Sequence, residues 1–144
     1  MPEKYKQYYL SREQNKDALI LTQKSMDMFD GERARPTLHQ TLTCHAENYK
    51  SEPHSVLRSP LLFESHKGLP PTYFQVCGAD PLRDEGLIYE SLLREECDVP
   101  TRLDVFPGLP HAFWTWFPKA KFSEDFQDKT IGGLKWLLEQ VRAT

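Results

Sequence analysis

The sequence lacks the long apolar run that a membrane-spanning segment requires. None of its 144 residues fall in a stretch that approaches the ~20 consecutive apolar residues needed to cross a bilayer. The first six residues, Met-Pro-Glu-Lys-Tyr-Lys, also lack the apolar region of a secretory signal. These two absences favour a cytoplasmic protein without a membrane span.

Cysteine is scarce, and its spacing matches no disulfide or zinc framework. Cys44, Cys77 and Cys97 are an odd number and form no Cys-x-x-Cys pair, which indicates free thiols in a reducing compartment. Cys44 lies in a histidine-containing stretch from His39 to His54, but the spacing fits no common zinc site. We therefore expect no metal there. Cys77, inside an apolar run, is expected to be a small core residue.

An excess of positive charge is also absent. The 18 lysines and arginines stand against 21 acidic residues, for a net charge of −3, and they are scattered among the acids. This pattern disfavours a nucleic-acid partner. With 39% hydrophobic and 27% charged residues, the composition is that of one soluble domain at most.

The informative part of the chain begins with a strand, a helix and a second strand. Thr72–Gly78 is a β-favouring run closed by glycine, a pattern typical of a strand buried on both faces. Asp80 and Pro81 are preferred at a helix start, and the helical pattern continues to about Glu96. Thr101–Phe106 alternates as a second strand. This order predicts a right-handed crossover that lays the two strands parallel.

The predicted helix has one apolar face. Its members are Ile88, Tyr89, Leu92 and Leu93. We expect Arg83, Glu90 and Arg94 to remain in solvent. Asp84, in the first turn, is predicted to interact with the helix dipole or with Arg83 rather than to act as a catalytic acid.

Two chemically versatile residues follow the two predicted strands. Asp80 comes directly after the first strand, and His111 follows the turn Pro107–Pro110 beyond the second. The carboxyl ends of parallel strands meet at one sheet edge, where open α/β folds bind ligands. Neighbouring strands lie about 4.8 Å apart, so the Asp80 carboxylate is expected to reach the His111 imidazole. Taken singly, Asp80 is by default interpreted as a helix cap, and His111 as a structural histidine.

The chain divides into a polar segment, residues 1–69, and the α/β part, residues 70–144. Ser11–Gln14 matches a capping box and predicts a short helix. A second short helix is predicted over Thr22–Phe29. The charged stretch 32–52 is predicted to be a loop or a partly disordered connection.

Aromatic residues crowd the stretch after His111. Phe113 and Trp114 are expected to line an apolar substrate pocket, although aromatic residues that simply cover the core are an equal interpretation. A last helix is predicted from Ser123, with Ile131, Leu134, Leu138 and Val141 recurring at three and four. Gly132 and Gly133 would each cost roughly 1 kcal/mol inside it compared with alanine. We therefore expect close packing at these two glycines.

Three motifs together resemble a known family. Gly68–Pro71, Cys77–Gly86 (Cys-Gly-Ala-Asp-Pro-Leu-Arg-Asp-Glu-Gly) and Pro107–Phe113 (Pro-Gly-Leu-Pro-His-Ala-Phe) are similar to the carboxyl-terminal part of an α/β-hydrolase. More narrowly, the chain resembles the hormone-sensitive-lipase-like carboxylesterases, also called α/β-hydrolase fold-3. The resemblance implies an α/β fold of parallel strands with flanking helices, and it implies that residues 1–69 are a lid-side linking segment.

The resemblance also implies roles for the two residues at the sheet edge. Asp80 would be the acid and His111 the base of a catalytic triad that cleaves small carboxylic esters. The base takes the proton of a serine hydroxyl and returns it to the leaving alcohol, while the acid fixes the tautomer of the imidazole. Serine acyl transfer of this kind requires no metal or organic cofactor.

The nucleophile of such a triad has no counterpart in this sequence. In this fold the serine precedes the acid, yet no serine upstream of Asp80 stands in a Gly-x-Ser-x-Gly motif, and no His-Gly-Gly-Gly stretch is present. The sequence also has Ala112 where the family has glycine. We therefore expect a truncated hydrolase-family chain that is inactive alone.

Two alternatives remain open from the sequence. One is a non-catalytic module that binds a partner chain, or dimerises, through an exposed sheet edge. The other is that a second polypeptide supplies the nucleophile. Both fit a small parallel sheet that leaves a face or an edge uncovered, since such a sheet is expected to be marginally stable or to associate.

Overall fold

The computed structural model describes residues 3–30, 56 and 59–143 of the chain. The described part contains the strands β1 (Thr72–Ala79) and β2 (Thr101–Pro110) and the helices α1 (Ser11–Gln14), α2 (Gln23–Asp30), α3 (Arg83–Ser91), α4 (Phe113–Trp116) and α5 (Lys121–Ala143). Short 3₁₀ helices occupy Glu3–Tyr8 and Pro60–Leu62, and a π-helical turn, Leu92–Glu96, continues α3. The predicted loop 32–52 and the stretch around Cys44 lie outside the described residues.

The predicted crossover is confirmed. β1 and β2 pair in parallel, in a register that runs from Thr72 opposite Thr101 to Cys77 opposite Phe106. β2 continues past Phe106 with an irregularity opposite Gly78. The two strands approach closely there, since a Cβ atom added at Gly78 would lie 2.8 Å from the backbone nitrogen of Gly108. The strand ends at Pro110, directly before His111. β1 is less buried than predicted, since its first four residues are only partly covered.

Helix α3 begins two residues later than Pro81, which was predicted as its first residue. The Asp80 side chain accepts a hydrogen bond from the Leu82 N–H at 2.9 Å and holds a turn instead. Glu90, predicted to face solvent, is only 5% exposed. It is buried because its carboxylate accepts hydrogen bonds from Thr101 at the start of β2 and from Arg94.

Helix α5 packs across the sheet at the two glycines, as predicted. A Cβ atom at Gly133 would lie 2.1 Å from the ring of Tyr73 on β1. The neighbouring Gly132 faces the guanidinium of Arg102 on β2, which would lie 3.2 Å from an added Cβ. The helix starts at Lys121 rather than at Ser123, which is fully buried and donates to the Phe117 carbonyl at 2.7 Å.

The predicted apolar repeat of α5 lies on its outer face. Its members, Ile131, Leu134, Leu138 and Val141, are between 52% and 69% exposed. The repeat therefore does not face β1 or β2, because the two glycines take that position. Among the described helices, none is both long and apolar enough to cross a membrane.

Candidate active site

The structure brings together the two residues predicted to pair at the sheet edge. The His111 Nδ1 atom lies 2.7 Å from Asp80 Oδ2. An ionised carboxylate can only accept this hydrogen bond, so Nδ1 donates it, and in the neutral imidazole Nε2 is then the accepting nitrogen. The Asp80 side chain is 8% exposed, whereas that of His111 is 44% exposed. A buried carboxylate thus orients an imidazole whose other edge is accessible.

The backbone directly after His111 is strained. Ala112 has φ 51° and ψ 32°, which is the left-handed helical conformation, and it precedes the first residue of α4. A residue with a Cβ atom pays about 1–2 kcal/mol for this conformation, which glycine adopts freely. Glycine, which the family resemblance leads us to expect at this position, would adopt the conformation without this strain.

Replacing Ala112 with glycine is expected to stabilise the protein. The gain is about 0.5–1 kcal/mol, because relief of the left-handed strain exceeds the entropy that glycine loses on folding. Chemical denaturation of the two proteins measures it. Ala120→Gly is the matched control, because Ala120 does not have a positive φ. This variant should lose stability. An equal loss at both positions would contradict the strain.

The two aromatic residues predicted to bind substrate pack on the core. The Phe113 side chain is 0% exposed and clusters with Cys77 and Phe106. Trp114 is partly buried and stacks on Phe126 of α5, with ring centroids 4.0 Å apart and planes at 3°. In the described residues these rings fix the segment after His111 onto α5. Their role in binding substrate remains a prediction, and only Trp114 has exposed surface for it.

Cys77 is buried near Asp80. The sequence predicted it to be a core residue, and the structure confirms this. Its side chain is 7% exposed. Burial and the nearby Asp80 raise the pKa of the Cys77 thiol to about 11, against the opposing hydrogen bond from the Ala112 backbone. The thiol is therefore a poor nucleophile at neutral pH.

Cys77 is expected to resist alkylation in the folded protein. A pKa of about 11 instead of 9.0 lowers the thiolate fraction at neutral pH about a hundredfold, and burial slows the reaction further. Iodoacetamide labelling followed by peptide mass spectrometry measures the rate. Cys97, which is partly exposed, is the internal control and should react first. Equal rates in the native protein would contradict this account.

Sequence reasoning missed the residues that hold the Asp80 turn from the amino-terminal segment. The side-chain amide of Asn15 donates to the Asp80 carbonyl at 3.0 Å. Ser11, predicted to cap its own helix, makes no such cap, because Leu10 holds the cap position of α1. Its hydroxyl instead donates to the Pro81 carbonyl at 2.7 Å. The capping-box pattern was the available signal, but it does not say which helix is capped.

Asp84 has the structural role that the sequence predicted for it. It pairs with Arg83 at 2.7 Å and accepts the backbone N–H groups of Leu10 and Ser11. Burial alone would raise its pKa, but the hydrogen bonds from Arg83, Leu10 and Ser11 outweigh burial, so that the pKa of Asp84 is lowered. Asp84 is thus a buried anion that ties two segments together.

No group of three metal-binding side chains occurs within the residues that the structure describes. The arrangement at the sheet edge suits acid–base chemistry, because a buried carboxylate orients a partly exposed imidazole.

Comparisons with known proteins agree with this fold. The family profile described as the alpha/beta hydrolase fold matches residues 3–115. An AB hydrolase superfamily protein of Schizosaccharomyces pombe is 39% identical over 126 residues, which are 87% of this chain and 32% of that protein. The versiconal hemiacetal acetate esterase of Dothistroma septosporum is 35% identical over 144 residues, 99% of this chain and 38% of that protein.

A solved structure is also similar. The crystal structure of vibralactone cyclase superposes with a TM-score of 0.78 at 40% identity, over 97% of this chain and 36% of that one. The chain spans about a third of the length of the curated relatives that it matches.

These matches define the class of the protein as an α/β-hydrolase, with parallel strands and flanking helices. The chain belongs to the α/β-hydrolase family, and a named esterase is among its relatives. Its described strands and helices are those of the carboxyl-terminal portion of that fold.

Proposed function

We propose that Asp80 and His111 are the acid and base of a serine hydrolase that cleaves small carboxylic esters. The hydrogen bond of 2.7 Å between His111 Nδ1 and Asp80 Oδ2 carries this proposal. It fixes the tautomer that a general base requires, with Nε2 free to accept a proton. Two further observations support it: His111 is accessible, and an esterase is among the relatives.

In the proposed reaction, His111 Nε2 takes the proton of a serine hydroxyl as the serine oxygen attacks the ester carbonyl. The same nitrogen then gives the proton to the leaving alcohol, and water releases the acyl group by the reverse sequence. Asp80 keeps its negative charge throughout and stabilises the imidazolium that forms. No step requires a metal or an organic cofactor.

The serine in this proposal lies outside the 144 residues. None of their serines upstream of Asp80 stands in the Gly-x-Ser-x-Gly motif, in which a sharp turn exposes the nucleophile. We therefore expect the 144-residue chain alone to hydrolyse p-nitrophenyl acetate no faster than its Asp80→Asn and His111→Ala variants.

A chimera tests the proposed function. The 144 residues replace the matching part of the D. septosporum esterase, which aligns with 99% of this chain. Hydrolysis of p-nitrophenyl acetate by the chimera, lost in its His111→Ala variant, would support the proposal. A folded chimera without hydrolysis, or one whose rate survives His111→Ala, would refute it. Circular dichroism and a thermal unfolding transition establish that each protein is folded.

A second candidate function is a non-catalytic module that pairs with a second copy of itself. The apolar outer face of α5 favours it, because four large apolar side chains there are more than half exposed. Each strand of the two-stranded sheet also has one edge without a partner among the described strands. Sedimentation velocity over a range of concentrations tests this candidate. A dimer that Leu134→Gln dissociates would favour it, and a monomer at all concentrations would exclude it.

A further inference from the structure

The amino-terminal segment Glu3–Asn15, called the arm here, holds both ends of the helix that follows Asp80. At the far end, the side chains of Lys4 and Tyr5 bind the Glu96 carboxylate at 2.6 Å each. At the near end, the arm binds the turn formed by residues 80–85, called the acid turn here. The near-end contacts are more buried than those at Glu96, which is exposed.

Ser11 satisfies backbone groups of the acid turn that α3 leaves unpaired. The first N–H groups of a helix have no partner within the helix, and Leu82, at the cap position, provides no side-chain cap. The Ser11 hydroxyl accepts from the Asp84 N–H at 3.2 Å and donates to the Pro81 carbonyl at 2.7 Å. Ser11 is 0% exposed, so no water can replace it without opening the arm.

The arm also binds Asp80 itself and the carboxylate four residues later. The Asn15 amide donates to the Asp80 carbonyl at 3.0 Å. In the opposite direction, the Asp84 carboxylate accepts the N–H groups of Leu10 and Ser11 at 2.7 and 2.6 Å. Hydrogen bonds to an ionised acceptor are about twice as strong as neutral ones. The arm therefore holds the acid turn at Asp80, at Pro81 and at Asp84.

From these contacts we propose that the arm is a positioning element for the acid of the site, with Asn15 and Ser11 as its positioning residues. This inference rests on the proposed function, because it assigns the arm to the same Asp80–His111 pair. The Asp80 carboxylate, 2.7 Å from His111 Nδ1, must stay within hydrogen-bonding distance to keep the tautomer. Local bonds alone, from Leu82 and Arg83 to Asp80, do not tie the turn to the rest of the fold.

Loosening the arm is expected to change the tautomer of the His111 imidazole by a measurable factor. When Asp80 is displaced, neutral His111 is free to carry its proton on Nε2 instead of Nδ1. Loss of one neutral hydrogen bond changes a population by about fivefold. Asn15→Ala and Ser11→Ala should each lower the ratio of the Nδ1–H to the Nε2–H tautomer by about that factor.

The ¹⁵N chemical shifts of the His111 ring nitrogens report this ratio directly in the 144-residue protein, at a pH where the imidazole is neutral. The Asp80→Ala variant provides the reference without a carboxylate. We expect the parent protein to show the Nδ1–H tautomer, and both arm variants to move towards the Asp80→Ala values. Asn15→Ala removes a partly exposed side chain, so it is the variant to use if Ser11→Ala does not fold.

Tyr5→Phe is the matched control, because it loosens the arm at Glu96 and leaves the acid turn untouched. Its ring-nitrogen shifts should equal those of the parent protein. Shifts in Asn15→Ala that equal those of Tyr5→Phe and the parent would overturn the inference. Equal displacement by Tyr5→Phe and Asn15→Ala would also overturn it, because the arm would then act only through general stability.

The chimera separates this inference from the proposed function. In an active chimera, Asn15→Ala should lower kcat about fivefold and leave KM unchanged, because the acid acts on the chemical step and not on binding. If the parent chimera is inactive, the proposed function fails, while the ring-nitrogen shifts still decide whether the arm positions Asp80. If the chimera is active and Asn15→Ala changes neither shifts nor kcat, only the inference about the arm fails.

Discussion

Asp80→Asn in the chimera is expected to lower kcat for p-nitrophenyl acetate by about 10⁴-fold. Asparagine is nearly the same shape as aspartate, so the turn and the His111 position should persist. Its amide carries no charge to stabilise the imidazolium, and it can donate to Nδ1 and thereby place the imidazole proton on Nε2, which can then no longer accept from serine. Initial rates at saturating ester measure the effect.

The control for this prediction is Asp128→Asn, which removes one negative charge from the exposed surface of α5 and should keep the parent rate. A loss in Asp80→Asn of less than about tenfold would mean that Asp80 is a helix-turn residue and not the catalytic acid. A role in the turn before the helix would then be enough to explain the aspartate at this position.

The largest expected effect on stability is at Gly133. Gly133→Ala would place a Cβ atom 2.1 Å from the Tyr73 ring. The ring cannot easily move, because the Tyr73 hydroxyl lies 2.7 Å from the Asp104 carboxylate and 3.0 Å from the Lys129 carbonyl, and these two acceptors share its one proton. We expect a loss of about 2–3 kcal/mol in the free energy of unfolding. Urea denaturation measures it.

Gly132→Ala is a control one residue away in the same helix. Its Cβ atom would meet only the end of the flexible Arg102 side chain, at 3.2 Å. We expect a result between no change and a gain of about 1 kcal/mol, which is the helix propensity difference between alanine and glycine. Similar effects at both glycines would contradict the packing of α5 on β1.

The sequence predicted that Asp80 and His111 lie close together, because the topology of the strands alone brings them to one edge of the sheet. Asp80 and His111 each follow a strand, and parallel strands end at the same edge, so their proximity follows without knowledge of side-chain packing. The two glycines of α5 were informative for a similar reason. Because glycine is unfavourable inside a helix, the pair predicted that another element packs closely against it, and the Tyr73 ring does so at Gly133.

Long-range contacts of polar side chains could not be predicted in the same way. The Ser11 capping box has a local and a distant interpretation, and only the folded chain shows that Ser11 serves the start of α3. Glu90 was assigned to solvent because helix periodicity describes one helix and not the Thr101 hydroxyl that approaches from β2. Such contacts depend on where separate elements meet.

The aromatic residues show the same limit for apolar side chains. Phe113 and Trp114 were equally interpretable as a pocket lining or as core, since both environments select the same residue types. The position of α5 places Phe113 in the core, where its ring contacts Phe122 and Phe126 from that helix. Helix position is a property of tertiary packing that local sequence does not contain.

The central claim is that His111 activates a serine with the help of Asp80, and the rate of covalent labelling by a fluorophosphonate tests it most directly. This reagent forms a stable bond only with an activated serine oxygen, and mass spectrometry identifies the labelled residue. The account predicts rapid labelling of one serine in the chimera, and labelling at least about 10³-fold slower in its His111→Ala variant. Equal labelling rates in the two proteins would contradict the account.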